Sequence, residues 1–351
     1  MKIRLISISV AGLIILGGIS LFNIQCKPKN EAENNNEDSV MTNTQSAIRI
    51  SQANVPDFNA DSAYLFIAKQ VSFGPRIPGT PAQTKCADWI TAEVRKLTTT
   101  MYVQDLKVEL WNHRIVPCIN IIASFNPDQK KRILLCTHWD TRPWSDRDSL
   151  YPKKTFDGAD DGGSGVGVLL EIARQLSAQP AKAGIDIVFL DVEDYGPPVW
   201  DPQSTNEEVN GYCLGTQQWA NTPHVPDYRA YFGILLDMVG AKNATFPQEG
   251  VSLLYAPSVV QKVWDIARAL GNSNYFVNEK GPSITDDHTF VNSINGTPTI
   301  DIINMDRTTK NGFAKHWHTQ NDDMSIIDRN TLKAVGQTLL QVVYREPVAS
   351  M

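Results

Sequence analysis

The sequence predicts an α/β protein built on an open, mainly parallel twisted central sheet with helices on both faces. Short apolar runs bounded by turn residues recur along the chain, each of strand length. Segments with apolar residues at helical spacing stand between and around those runs. The runs are continuously apolar, as buried parallel strands are, and their alternation with helices is the pattern of a sheet covered on both sides.

At the start of the chain, Lys2 and Arg4 precede an apolar stretch over 5–22, the basic start and hydrophobic run of an export signal. The protein is therefore expected to leave the cytoplasm and to be periplasmic or membrane-anchored. Three fates of residues 1–26 stay open. Cleavage is one, although no small-x-small site follows the run. Retention as an anchor is another, since the run is at the lower limit of about 17 residues for crossing a bilayer. Acylation of Cys26, as in a bacterial lipoprotein, is the third, although Gln25 replaces the small residue usual before such a cysteine. Residues 27–47 are rich in Asn, Glu and Lys with almost nothing apolar, and read as a flexible tether. Residues 48–351 contain no linker and are expected to form a single catalytic domain.

Within that domain, residues 60–71 and 81–97 read as helices, and the alternating segment 102–110 reads as an edge strand. The apolar runs at 120–125, 132–137, 185–190, 231–238 and 299–304 read as buried strands. Val168, Leu169, Ile172, Ala173 and Leu176 mark one further helix, Val259, Val263, Ile266, Ala267 and Leu270 another, and residues 330–344 the last. The longest irregular stretches, 139–157, 195–211 and 237–251, each follow a strand. Ligands bind at the carboxyl ends of the strands in an open α/β sheet, so these loops are expected to carry function.

Composition excludes several classes. With 351 residues, 42% hydrophobic and 20% charged, the chain is globular, and its formal net charge of -6 comes without the clustered basic surface that nucleic acid requires. Beyond Cys26, Cys86, Cys118, Cys136 and Cys213 form no CxxC and no short metal-type spacing, so a thiolate zinc site is not expected, and the spacing selects no disulfide pairing. Cys136 sits inside an apolar run and reads as a buried free thiol.

The acidic and imidazole residues are placed otherwise. Thr137-His138-Trp139-Asp140, Gly158-Ala159-Asp160-Asp161, Leu190-Asp191-Val192-Glu193-Asp194 and Leu236-Asp237-Met238 each set a carboxylate or an imidazole after an apolar run or beside a glycine-rich turn. Asp286-Asp287-His288 and His316-Trp317-His318 add more imidazoles. Singly, each has an ordinary structural reading: Asp161 caps the helix beginning near Ser164, Asp237 caps a turn, and His318 is a loop residue. Together they point to a cation, because several unpaired carboxylates buried side by side cost several kcal/mol each. Histidine and carboxylate without cysteine suit zinc, whereas calcium and magnesium prefer oxygen alone. Ser164 lacks the second glycine of a nucleophile elbow, and Gly163, Gly165 and Gly167 miss the dinucleotide spacing by one.

These residues resemble the zinc aminopeptidase-like fold and, within it, the glutaminyl cyclases (glutaminyl-peptide cyclotransferases) of bacterial type. The resemblance runs from Phe73-Gly74-Pro75-Arg76 through His138-Trp139-Asp140, Asp160-Asp161 and Leu235-Leu236-Asp237-Met238-Val239-Gly240-Ala241 to Asp286-Asp287-His288 and Trp317-His318-Thr319. It implies one zinc per chain, held by Asp161, Asp194 and His318, with Glu193 as general base and acid. Asp194 departs from the glutamate expected in the animal enzymes. The resemblance also implies an acidic hydrogen-bonded pair, Asp237 and Asp286, and aromatic walls from Trp200 and Trp317. The implied reaction converts an N-terminal glutamine, and more slowly glutamate, of peptides and proteins to pyroglutamate, with ammonia expelled from glutamine. The rival on the same fold is an aminopeptidase with two zinc ions and a water nucleophile, for which His138 and Asp140 are candidates for a second metal or for supporting the first. The segment 73–80 and Arg142 carry no catalytic expectation.

Overall fold

The computed structural model describes residues 54–206 and 211–347. The expected export signal, Cys26 and the tether lie outside the described residues. Two capped helices open the fold. Asn59 accepts from the Ser62 amide at the start of α1 (Ala60–Val71), and Thr80 accepts from the Gln83 amide at the start of α2 (Pro81–Leu97). The chain continues through β1 (Thr100–Glu109), β2 (Ile115–Phe125), β3 (Arg132–His138), α3 (Gly163–Ala178), β4 (Gly184–Leu190), α4 (Leu214–Asn221) and β5 (Phe232–Asp237). It closes through β6 (Phe246–Gln248), α5 (Gly250–Tyr255), α6 (Pro257–Ala269), β7 (Phe276–Lys280), α7 (Asp287–Phe290), β8 (Thr299–Ile303) and α8 (Arg329–Arg345).

The main sheet has six strands in the order β1-β2-β4-β3-β5-β8. Strands β4, β3, β5 and β8 run parallel, while β1 and β2 join as an antiparallel edge. Side chains alternate between the two faces. Ile133 and Leu135 of β3 pack into the core formed with α1, α2, α3, α6 and α8, and Leu134 and Cys136 pack into a second core that includes Trp219 of α4 and Val291. Helices therefore cover both faces. The described cysteines, Cys86, Cys118, Cys136 and Cys213, are all buried and free. Among the described residues no helix is long and apolar enough to cross a membrane.

Three parts differ from the sequence reading. Strand β2 begins at Ile115, five residues before the expected start. Pro117 conceals that extension, and it is tolerated because the segment before Ile121 pairs with β1 alone. Strand β6 falls where the sequence reads as loop, since a strand of three residues shows no periodicity, and β7, α4 and most of α5 lie in segments to which the sequence reading assigned no element.

Parallel strands deliver their carboxyl ends to one edge, so β3, β4 and β5 bring His138, the segment after Leu190 and Asp237 together. Helix α3 starts close beneath that edge. A Cβ on Gly165 would lie 2.8 Å from Thr137 Cβ and 2.9 Å from the Leu236 carbonyl, so glycine is what lets α3 touch β3 and β5. Gly165→Ala is expected to cost about 3 kcal/mol of stability by overpacking. Urea unfolding measures it, and an unchanged midpoint would show that the helix can retreat from the sheet freely.

Candidate metal centre

Each polar residue at the strand ends is fixed by a specific backbone device. Asp322 accepts from the amides of Asp160 (2.7 Å) and Asp161 (3.1 Å), which pins the turn leading into α3. Arg76, fully buried, donates to the carbonyls of Trp139 (3.2 Å), Asp157 and Gly158 (2.7 Å), tying the turn to the end of β3. Asp140 accepts from the amides of Glu193 (3.0 Å) and Asp194 (3.2 Å), so one carboxylate orients the whole acidic segment after β4. Val192, just before it, has a φ of 53°, a left-handed conformation that is an outlier for a β-branched residue.

These devices bring the expected ligands together. His318 Nε2 lies 3.0 Å from Asp194 Oδ2 and 3.4 Å from Asp161 Oδ2. Zinc bond lengths of about 2.0–2.1 Å in tetrahedral geometry separate ligand atoms by about 3.3 Å. Asp194 Oδ2 is buried and has no hydrogen-bond partner, so the approach of His318 is convergence on a shared point rather than a hydrogen bond. One imidazole and two carboxylates are a zinc donor set, and a bound cation satisfies the orphaned oxygen.

A scaffold that the sequence did not disclose stands behind these ligands. Arg142 grips Asp146 through two hydrogen bonds (2.9 and 2.7 Å) and donates a third to Asp194 Oδ1 at 3.0 Å. Asp146 Oδ1 in turn lies 3.4 Å from His318 Nδ1. Burial alone would raise the Asp146 carboxyl, but hydrogen bonds from His318 and Arg142 outweigh it and hold the group below the usual carboxylate range. Burial likewise opposes charge on His318, yet Asp194 and the hydrogen bonds to Asp146 and Asp161 raise it to about 10.

A second cluster adjoins the first. His138 Nε2 lies 3.1 Å from Asp161 Oδ1 and 3.1 Å from Asp237 Oδ1, and the latter contact is a hydrogen bond. His138 Nδ1 stands 3.5 Å from Asp140 Oδ1. Asp161 thus offers one oxygen to each imidazole, but the second cluster closes on itself through the His138–Asp237 bond. His288 and His316 serve elsewhere, pairing with Glu249 at 3.0 Å and with Asp160 at 2.8 Å.

A cavity of 310 Å³ opens over the ligands and is lined in addition by Glu193, Asp237 and Asp286. Burial, then the Asp194 charge, pushes the Glu193 carboxyl well above its ordinary range. Phe313 and Trp317, also in the lining, stack at 4.4 Å between ring centroids, and Trp317 lies over His318 at 3.8 Å. Trp200 does not line the cavity. It is 45% exposed, with its ring 6.3 Å from that of Trp144, and Tyr212, which the sequence reading passed over, lines the cavity instead. The expected hydrogen bond between Asp237 and Asp286 is also not made. Asp237 is engaged by His138, and Asp286 accepts from the Asp287 amide at 2.5 Å while its Oδ2 is buried without a partner.

A family model described as Peptidase family M28 matches residues 120–343, more than half of the chain. The chain belongs to that family. Among solved members of similar structure is a Zn-dependent exopeptidase from Parabacteroides distasonis, 51% identical, covering 83% of this chain and 100% of its own, with a TM-score of 0.81. The glutaminyl cyclase of Tannerella forsythia is 50% identical with the same coverages and a TM-score of 0.80. Bovine glutaminyl-peptide cyclotransferase is 25% identical over 301 residues, 77% of this chain and 78% of the bovine protein. Proteins described as a glutaminyl cyclase and as a zinc-dependent exopeptidase are thus each about 50% identical to this chain.

Two outcomes follow from the scaffold. Asp146→Asn leaves the ligands in place but removes the carboxylate behind His318, and should weaken metal affinity about 10- to 100-fold in competition with a chromophoric chelator. Unchanged affinity would remove Asp146 from ligand support. In the metal-free protein His318 holds its proton up to pH about 10, so metal binding below that pH must displace it. Apparent affinity should therefore fall as pH is lowered, read by titration at several pH values.

Proposed function

We infer that this M28 chain is a zinc-dependent glutaminyl-peptide cyclotransferase, closing N-terminal glutamine to pyroglutamate with release of ammonia. The observation that carries the reading is the ligand set Asp161–Asp194–His318, which contains an orphaned oxygen and lines a partly apolar cavity beside Glu193, in a chain 50% identical to a glutaminyl cyclase over 83% of its length. Its substrates are peptides and proteins with N-terminal Gln or, more slowly, Glu. No nucleic-acid partner is proposed.

Asp161, Asp194 and His318 would hold the zinc, which when bound would supply Lewis-acid polarisation of the side-chain carbonyl. The protein supplies the rest. Glu193, made more basic by burial, accepts a proton from the attacking α-amine and returns it to the departing nitrogen. The bond between the α-nitrogen and the side-chain carboxamide carbon, Cδ, forms as the bond from that carbon to the amide nitrogen breaks, and no water enters the balance. Asp286, whose Oδ2 is buried and unpartnered, is the acceptor that orients the leaving amide. Phe313 and Trp317 cover the glutaminyl side chain and limit access of water. Trp200, half-exposed outside the lining, is assigned to more distal residues of the peptide.

The second reading is a two-zinc aminopeptidase, and one observation favours it: Asp161 faces His138 with one oxygen and His318 with the other, as a bridging ligand would. The cyclase reading is preferred because the His138–Asp237 hydrogen bond already pairs two of the three members of the second cluster, whereas no hydrogen bond joins the members of the first. We also propose that the enzyme is exported, with residues 1–26 as a signal or a membrane or lipid anchor, residues 27–47 as a tether, and residues 48–351 as one catalytic domain working in the periplasm or at a membrane.

Purified protein should hold about one zinc per chain, and a Gln-initiated peptide should release ammonia and yield pyroglutamate. His318→Ala should lose that zinc while His138→Ala keeps it. Liberation of free amino acids from Leu- or Ala-initiated peptides, with two zinc ions and no pyroglutamate, would establish the peptidase instead. Glu193→Gln should lower kcat by about 10²-fold or more with zinc retained, and persistent activity would mean another group moves the proton.

A further inference from the structure

Cys213 is fully buried, does not line the cavity, and has no part in the mechanism above. Its thiol lies 3.3 Å from Glu193 Oε1 with the sulfur as donor. Among the described residues it is the hydrogen-bond donor that reaches this carboxyl, since His138 Nδ1 stands off at 3.9 Å from Oε2. The backbone strengthens the pairing. The Cys213 amide donates to the Glu193 carbonyl at 2.8 Å, and the Leu214 amide donates to the Val192 carbonyl at 2.9 Å.

Both partners in this clamp are in an unfavourable conformation. Cys213 has a φ of 55° and Val192 a φ of 53°, and neither is glycine. Such left-handed residues are strained and persist only where their surroundings determine them. Here the paired turns place three restraints on Glu193. Its amide is held by Asp140, its carbonyl by the Cys213 amide, and its carboxyl by the Cys213 thiol. Burial keeps that thiol protonated, so it remains a donor.

We propose that Cys213 is a positioning residue for Glu193: its S–H engages Oε1, fixes the rotation of the carboxyl, and leaves Oε2 as the oxygen that exchanges a proton with substrate. The inference rests on the cyclase reading only for the name of the reaction, since any chemistry that uses Glu193 as base needs the same orientation. The strain at Cys213 is the cost of bringing a side-chain donor to this point. Glycine would relieve the strain but offers no donor.

Three variants separate the thiol from the backbone, each checked for zinc content and thermal stability. Cys213→Ala should lower kcat about tenfold with KM within about twofold, because the carboxyl loses its orientation while substrate binding does not change. Cys213→Gly should be as slow as alanine even though its backbone accepts the left-handed φ. Cys213→Ser, which restores an O–H donor, should recover kcat to within about threefold of the parent. The split is read on whichever N-terminal substrate the parent turns over, so a parent that forms no pyroglutamate defeats the cyclase reading alone. Full kcat in the alanine or glycine variant, or a serine variant as slow as alanine, overturns the role of the thiol.

Discussion

Mutual repulsion of buried carboxylates is the constraint on which the rest of this structure depends. Asp161, Glu193, Asp194, Asp237 and Asp286 line one cavity, and Asp140 and Asp146 stand directly behind them. Charges this close and this dry cannot all remain ionised without compensation. The structure answers in three ways. Arg142 neutralises Asp146 and Asp194, His138 bridges Asp161 and Asp237, and burial raises the carboxyls of Asp237 and Asp286, which favours their neutral forms. Two oxygens of the cavity, Asp194 Oδ2 and Asp286 Oδ2, remain buried without a hydrogen-bond partner, and the first of them faces His318.

The fold makes such crowding possible at modest cost. Parallel strands cannot avoid ending at the same edge, and the residues just beyond them are released from the hydrogen-bond ladder with their backbones still anchored. Positive φ values at Val192, Cys213 and His318, all non-glycine, lie in this region. They are paid for by the continuous core on both faces of the sheet, in which β4, β5 and β8 are buried along their whole length. Rigidity of the sheet is thus converted into precision at the loops.

The layered fold was legible because its signals are local. Continuous apolar runs such as 132–137 and 185–190 show their burial in their own composition, and α1 and α2 are closed by their own caps and patterns. The ligand residues were legible through their position after those runs and through the resemblance. What escaped was pairing across the chain. Nothing near Arg142 marks it as the partner of Asp194, 52 residues away, and nothing near Arg76 shows that it ties the turn at Gly158 to Trp139. The expected bond between Asp237 and Asp286 failed for a related reason: His138, close in space and distant in sequence, competes for Asp237 and wins. Trp200 lies on a loop whose sequence carries no register, so its direction could not be read.

Whether such a site cyclises or hydrolyses turns on Asp161, because the same carboxylate faces both imidazoles. A cation at the second cluster has to displace the proton that His138 shares and break its hydrogen bond to Asp237. Burial favours a neutral His138, but hydrogen bonds to Asp140, Asp161 and Asp237 raise its affinity for that proton well above normal. A single proton there already compensates the carboxylates around it. At the first cluster a cation displaces a proton from His318 as well, but it breaks no hydrogen bond within the ligand set, because Asp194 Oδ2 makes none. That asymmetry favours the first cluster as the tighter metal site. Even a single zinc can activate water, so cyclisation further requires that water be kept from the metal, and Phe313 and Trp317 in the cavity lining are the residues placed to do so.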